Sequence, residues 1–455
     1  MLKKDVNMLE GPIVKGLLSI ALPIMVMNVV QSLFNIIDMT VLKTFDAGDG
    51  YAVGAVGTCG TLISLITGLL VGCSSGANVV IAKYIGRGDK RGVERAVGTS
   101  VLFAMIGGVV MSVIGVSCAE LFLGWMNCPD ELIGKAALYF RLYFSGVPIL
   151  MVYNFCASIL RSTGDSKRPM IYLTSGGVLK IIFNVLFVAV FKLSVVGVAL
   201  ATIISWSVSC ALGIRALLKN DHPMVRLKLS EIRIYKKELS EILAIGVPAG
   251  LQQALYSIAN VIITATVNTF GPAATTGISI ANNFDGILYQ IAVAPSLAVM
   301  PYVSQNVGAG NIKRAKQSIV RGMMITVVLG ASIGALSAIF SAELSSIMSN
   351  DPEVIGYSQQ KMIIISSTYF ICGINEILGA SMRGFGKPIV PAVSTLIFMC
   401  AIRFVWVYLI FPLFRNLTFL YLIWPIGWIL SILTILAFLL PTVRRLERQI
   451  SRGAS

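Results

Sequence analysis

Asp38 is the single acid in an apolar segment that begins near Ile13 and runs past Val41. The polar residues ahead of it include Asn28, Gln31, Ser32 and Asn35. On a helix turning 100° per residue, positions 28, 31, 35 and 38 fall within an arc of about 80°. A carboxylate at mid-bilayer costs about 2.5–3.5 kcal/mol on insertion scales. It is tolerated where it faces a bundle interior or a watery cavity, and there it can bind a proton, a metal ion such as sodium, or a cationic group. The plainer alternative is a polar staple between two helices.

Other polar residues stand at helical spacing inside apolar stretches. Lys180 and Asn184 lie one turn apart on one helix face. An ammonium in hydrocarbon needs a counter-ion, and Asp38 is the candidate; snorkelling to the interface is the alternative. Such a pair would make Asp38 a poor sodium ligand. It would let a proton shuttle through Lys180, or move ion coupling to the C-terminal half. In that half Gln252, Gln253, Tyr256, Asn260, Thr264 and Asn268 form a slowly winding stripe. Asn282, Asp285 and Tyr289 follow at i, i+3 and i+7, Glu376 shares a face with Tyr369 and Cys372, and Arg403 falls mid-segment. Two acids and an arginine in hydrocarbon are costly unless they meet. The expectation is that Asp285 and Glu376 line a cavity and that Arg403 pairs with one of them. The other acid then attracts a cation or a proton. A closed structural ion-pair network is the alternative. Tyr256, Tyr289 and Tyr369 either stack on a flat cation or simply pack.

The elements that carry these residues are membrane spans. The chain has 455 residues, 56% hydrophobic and only 13% charged, with a mean hydropathy of +0.84. Soluble domains carry about 25% charged residues. Apolar windows of about 20 residues predict twelve spans, at roughly 13–42, 52–80, 94–118, 132–160, 169–191, 194–217, 240–270, 274–304, 316–341, 353–382, 388–412 and 418–441. The fold class is an all-α polytopic membrane protein, since lipid offers the backbone no partners. The net charge of +15 is not read as a nucleic-acid signal. Most Lys and Arg fall on one side of the predicted membrane, with only scattered ones such as Lys43, Lys135, Lys192, Lys361 and Arg415 on the other. That asymmetry places both termini in the cytoplasm, with the basic loops against lipid headgroups. One histidine, His222, leaves no histidine-based metal site or catalytic triad. No paired catalytic motif appears, so an enzyme is not expected.

The sequence repeats at a spacing of about 222–225 residues. Ala21-Leu22-Pro23 matches Gly246-Val247-Pro248, and Ser32 to Asn35 matches Ser257 to Asn260. Ile85 to Asp89 matches Val307 to Asn311, and Ile159 to Gly164 matches Ser381 to Gly386. Several matches in register are hard to obtain by chance. Six spans per half put the halves in the same orientation, so they are parallel repeats about an axis along the membrane normal. The predicted organisation is an N-terminal six-helix lobe (1–217), a basic linker (218–239) and a C-terminal six-helix lobe (240–455). Two such lobes form a skeleton for alternating access. Pro23, Pro248, Pro295, Pro301 and Pro391 each permit a kink.

These motifs resemble the multidrug and toxic compound extrusion family of cation-coupled exporters. The resemblance covers nearly the whole chain. It rests on Pro23 through Asn35-Ile36-Ile37-Asp38, on Tyr84-Ile85-Gly86-Arg87-Gly88-Asp89, and on Leu160-Arg161-Ser162-Thr163-Gly164-Asp165-Ser166-Lys167. In the second half it rests on Gln305-Asn306-Val307-Gly308-Ala309-Gly310 and Arg383-Gly384-Phe385-Gly386. The resemblance implies two six-helix lobes around a central cavity and export driven by protons or sodium. It assigns cation coupling to Asp38, with Asn35, Lys180 and Asn184 beside it. Lys180 departs from the pattern, in which Asn is common at that position. The implied protein is an exporter of amphipathic, often cationic organic compounds in the cytoplasmic membrane. It needs no cofactor beyond H+ or Na+ and is expected to be a monomer. Candidate substrate contacts are Asn28, Gln31, Tyr256, Asn260, Asn282, Asp285, Tyr289, Glu376 and Arg403. A lipid-linked-precursor flippase of the same superfamily is the alternative, with an intramembrane enzyme a remote one.

Overall fold

The computed structural model describes residues 6–45, 51–125, 130–220, 222 and 224–453, with the side chain of Asn35 and those of several other helical positions outside that description. Among the described residues every regular element is a helix, as expected of apolar segments whose backbone must satisfy itself. Among the described residues ten helices are long and apolar enough to cross a bilayer. The fourth and tenth spans are bent pairs: Leu132–Ser145 with Val147–Ser162 at 45°, and Pro352–Ser366 with Tyr369–Gly384 at 46°. Counting each pair as one span gives twelve. The limits read from sequence fall short where polar ends continue as helix, as at Arg87 and Gln449.

The two breaks that bend a span by more than 40° fall at positions that the sequence did not single out. Helices run through Pro23, Pro248, Pro295 and Pro301. The fourth span instead breaks at Gly146, and Pro148 opens the next helix, where a missing N–H costs nothing. The tenth breaks at Ser367 and Thr368, whose hydroxyls both donate to the Ile364 carbonyl and so compete with the backbone ladder.

The repeated motifs are helix stops and starts. Gly88 (φ +70°) and Gly310 (φ +74°) take the left-handed conformation that ends a helix. Asp89 and Asn311 then cap the next one, accepting from the backbone N–H of Gly92 and Arg314. Local chemistry thus repeats with the sequence.

Two compact units result. One takes Val29–Gly246; the other takes Val6–Asn28 together with the chain from Val247 onward. The first span (Ile13–Phe45) therefore begins in one unit and ends in the other, and the seventh (Lys236–Asn268) does the reverse. Hydrogen bonds fix these leading ends. Asn306 donates to the Met8 carbonyl, and Arg314 donates to the carbonyls of Met8, Glu10 and Gly11. In the other unit, Thr99 donates to the Arg233 carbonyl and accepts from the Tyr235 N–H. Tyr235 donates its hydroxyl to Glu231 at 2.6 Å, which holds that phenol above its usual range. Gly76 lies against the backbone of Ile242 and Gly246, where the absence of a side chain permits close helix packing.

Candidate functional site

In the unit built on Val29–Gly246, two adjacent glycines bring the fifth span into contact on two sides. A Cβ on Gly176 would meet the Ser205 carbonyl, and one on Gly177 would meet the Phe34 ring. The fifth span (Lys167–Val190) can therefore lie directly on the first and the sixth. Lys180 and Asn184, at most two turns further along, reach the first span. Lys180 Nζ lies 2.5 Å from Asp38 Oδ2, and Asn184 donates to Asp38 Oδ1 at 2.9 Å. Asp38 is 8% exposed and Asn184 is fully buried. Both carboxylate oxygens thus hold a donor. Immediately after Asn184 the span becomes π-helical over Leu186–Val190, a distortion that often accompanies functional sites. Asn28 is half-buried and Gln31 exposed, so the polar stripe passes from exposed to buried as it nears Asp38. Asn35 lies outside the described side chains.

The other unit holds a second trio of the same chemistry that the sequence reading missed. Lys361 Nζ sits 2.8 Å from Asp285 Oδ2 and also donates to Asn282 Oδ1. Lys361 is 3% exposed and Asp285 9%. Lys361 is counted from sequence among the scattered bases on the non-cytoplasmic side, yet it lies nine residues into the helix Pro352–Ser366. The test that flagged Lys180 would have found it.

Arg403 does not pair with either acid, contrary to expectation. Its Nη1 donates to Asn260 Oδ1 at 2.6 Å, and its guanidinium lies over the rings of Tyr256 (5.3 Å) and Trp424 (5.1 Å). Asp285 is taken by Lys361 instead. Sequence spacing could not show this, because the pairing depends on which helices are neighbours. Each ring contact offsets desolvation by about 2 kcal/mol at a buried site, but a buried donor left unmade costs about 1–3 kcal/mol. Nε and Nη2 of Arg403 have no partner.

Glu376 forms no hydrogen bond or ion pair among the described residues. It opens into a pocket shared with Gln252, Gln253, Tyr256, Tyr289 and Asn375, with room for about one water molecule. Tyr256 and Tyr289 stack there at 6.3 Å. Tyr369 belongs to the core cluster against which this pair packs, and it donates to the Asp285 carbonyl. Arg383 backs the pocket, donating to Gln252 at 3.0 Å. The structure thus gathers Tyr256, Tyr289 and Glu376 at one place, Asn260 and Arg403 beside it, and Asn282 with Asp285 at another.

A doubled helical bundle with paired charges in its spans is the build of a membrane transporter. The chain matches the MatE family over residues 23–186 and again over 248–409, one match in each repeat, and it belongs to that family, the multidrug and toxic compound extrusion transporters. It is 28% identical over 380 residues to the probable multidrug resistance protein YoeA of Bacillus subtilis (strain 168), covering 82% of each chain. It is 24% identical over 403 residues to an FAD transporter of Shewanella oneidensis, covering 86% of each. A solved multidrug resistance MATE family transporter in an outward-facing conformation shares its fold, with a TM-score of 0.89, 20% identity, and 98% of this chain and 100% of that chain covered. The protein is a multi-pass membrane transporter and not an enzyme.

Proposed function

We propose that this chain is a secondary active exporter of amphipathic organic compounds, often cationic, in a bacterial cytoplasmic membrane. It works by alternating access as a monomer, with both termini cytoplasmic. The named relatives with multidrug functions support the substrate class. Asp38 is the coupling residue, flanked by Asn35, Lys180 and Asn184. The unpaired Glu376, with Tyr256, Tyr289 and the two glutamines of its pocket, supplies charge and ring contact to the cationic part of a substrate. Asp285 and Asn282 act there only if Lys361 releases them.

The observation that carries the coupling reading is the Lys180–Asp38–Asn184 cluster. Sodium binding at Asp38 requires several oxygen ligands and displacement of an ammonium, whereas a proton can pass between Lys180 and Asp38 without a vacant site. The coupling ion is accordingly a proton. Purified protein in liposomes, with pH and sodium gradients imposed separately, tests this. Uphill export of a fluorescent organic cation should follow the pH gradient alone. Asp38→Asn should abolish uphill movement, and Lys180→Asn should change the pH profile and admit sodium dependence. Export driven equally by either gradient in both variants would sink the assignment.

A further inference from the structure

Arg403 is a buried charge that the cation site proposed around Glu376 leaves unused. Its side chain is fully buried, and a guanidinium does not give up its proton in a protein. Asn260 holds Nη1, and the rings of Tyr256 and Trp424 cover the planar group. What remains free is Nε with Nη2. Those two nitrogens form one edge of the guanidinium, whose parallel N–H bonds fork onto a carboxylate. The group is fixed on its other sides, and its bidentate edge is buried without a hydrogen-bond partner.

The internal repeat accounts for the missing partner. Lys180 lies eleven residues after Pro169, and Arg403 lies twelve after Pro391, the repeat equivalent of Pro169. The additional residue is taken up by a π-helical stretch, Leu396–Ala401, whose turns hold one residue more than α turns. Arg403 is therefore the counterpart of Lys180. In the first half the base meets Asp38. At the repeat spacing of 225 set by Asn35 and Asn260, the place of Asp38 is taken by Ile263, which is buried in an apolar cluster. The second half kept a base and lost its acid. Neither nearby carboxylate fills the gap, since Asp285 holds Lys361 and Glu376 makes no ion pair among the described residues.

A permanent charge without an internal counter-charge is suited to an external one. We propose that Arg403, oriented by Asn260 and flanked by Tyr256 and Trp424, binds the carboxylate of an amphipathic aromatic acid. This rests on the export reading only in treating the C-terminal half as a substrate-binding region. The aromatic preference comes from Tyr256, Tyr289 and Trp424. Tyr256 also walls the pocket that holds Glu376, so its ring separates a cation-attracting group from an anion-attracting one. Arg403 stands on a single α-helical turn between two π-helical stretches, Leu396–Ala401 and Trp406–Ile410, a backbone irregularity of the kind found at binding sites.

Calorimetry on the purified chain in lipid nanodiscs tests this with 2-naphthoate and its neutral isostere 2-naphthamide. The original chain should bind the naphthoate about tenfold more tightly or better. Arg403→Gln should remove that preference. Asn260→Asp should also remove it, by giving Arg403 an internal carboxylate as Asp38 serves Lys180; this variant keeps the charge paired and decides the matter if Arg403→Gln does not fold. Equal affinity of the original chain for both probes overturns the proposal, as does a preference that survives Asn260→Asp. Export of an organic cation by the original chain without naphthoate preference removes the anion site alone, whereas preference without export removes the export reading alone.

Discussion

Lys361 and Lys180 do the same electrostatic work in different surroundings. Each neutralises an aspartate inside a span while an asparagine completes the cluster. The desolvation of such a pair consumes most of its attraction, so its presence contributes little net stability; removing one member is different, because it leaves a bare buried charge at a cost of about 3–5 kcal/mol. Lys361→Met should therefore lower the thermal midpoint of the detergent-solubilised protein strongly. The double variant Lys361→Met with Asp285→Asn should recover most of the loss, since both charges then leave together. A double variant as unstable as the single one would show that Lys361 matters through packing rather than charge. Asp285 also keeps one oxygen, Oδ1, without a partner, so the cluster is neutral in charge without being closed in hydrogen bonding.

At the scale of elements, the fifth span is the component that assembles the N-terminal cluster, and its glycines decide how close it comes. Gly176 packs against the backbone of Ser205 and Gly177 against Phe34. Gly176→Val has no room to grow without displacing the sixth span, and overpacking of this kind costs about 1–3 kcal/mol. We expect a lowered thermal midpoint together with reduced export, because a shifted fifth span separates Lys180 from Asp38. Normal export by a fully folded Gly176→Val protein would mean that the cluster tolerates a looser contact than its geometry suggests. The eleventh span, counterpart of the fifth, carries two π-helical stretches around Arg403 where the fifth carries one beyond Asn184. Both members of the repeated pair thus depart from regular α-helix close to their buried base.

At the scale of the whole molecule, each leading span is divided between the two units, and hydrogen bonds hold its first residues within the unit to which they belong. Met8 to Gly11 are held by Asn306 and Arg314, and the segment Arg233–Tyr235 is held on Thr99. The distribution of Lys and Arg predicts the orientation in the membrane. An epitope inserted beside Lys219 should be reached by antibody only after cells are permeabilised, and one beside Lys192 in intact cells. The reverse pattern would overturn the topology.

The sequence by itself determined the class of molecule: the span count, the parallel repeat, the family and the positions of Asp38, Lys180, Asn184, Asp285, Glu376 and Arg403. The family comes from a resemblance of motifs; the rest follows from hydropathy, periodicity and the cost of charge in lipid, which act along the chain and need no knowledge of neighbours. The tertiary structure decided who meets whom. It gave Asp285 to Lys361, left Arg403 on Asn260 between two rings, and broke two spans at Gly146 and at Ser367–Thr368. Pairing across helices depends on which faces pack and at what height. Helical spacing constrains each face alone, whereas close approach at glycines such as Gly177 sets the partner.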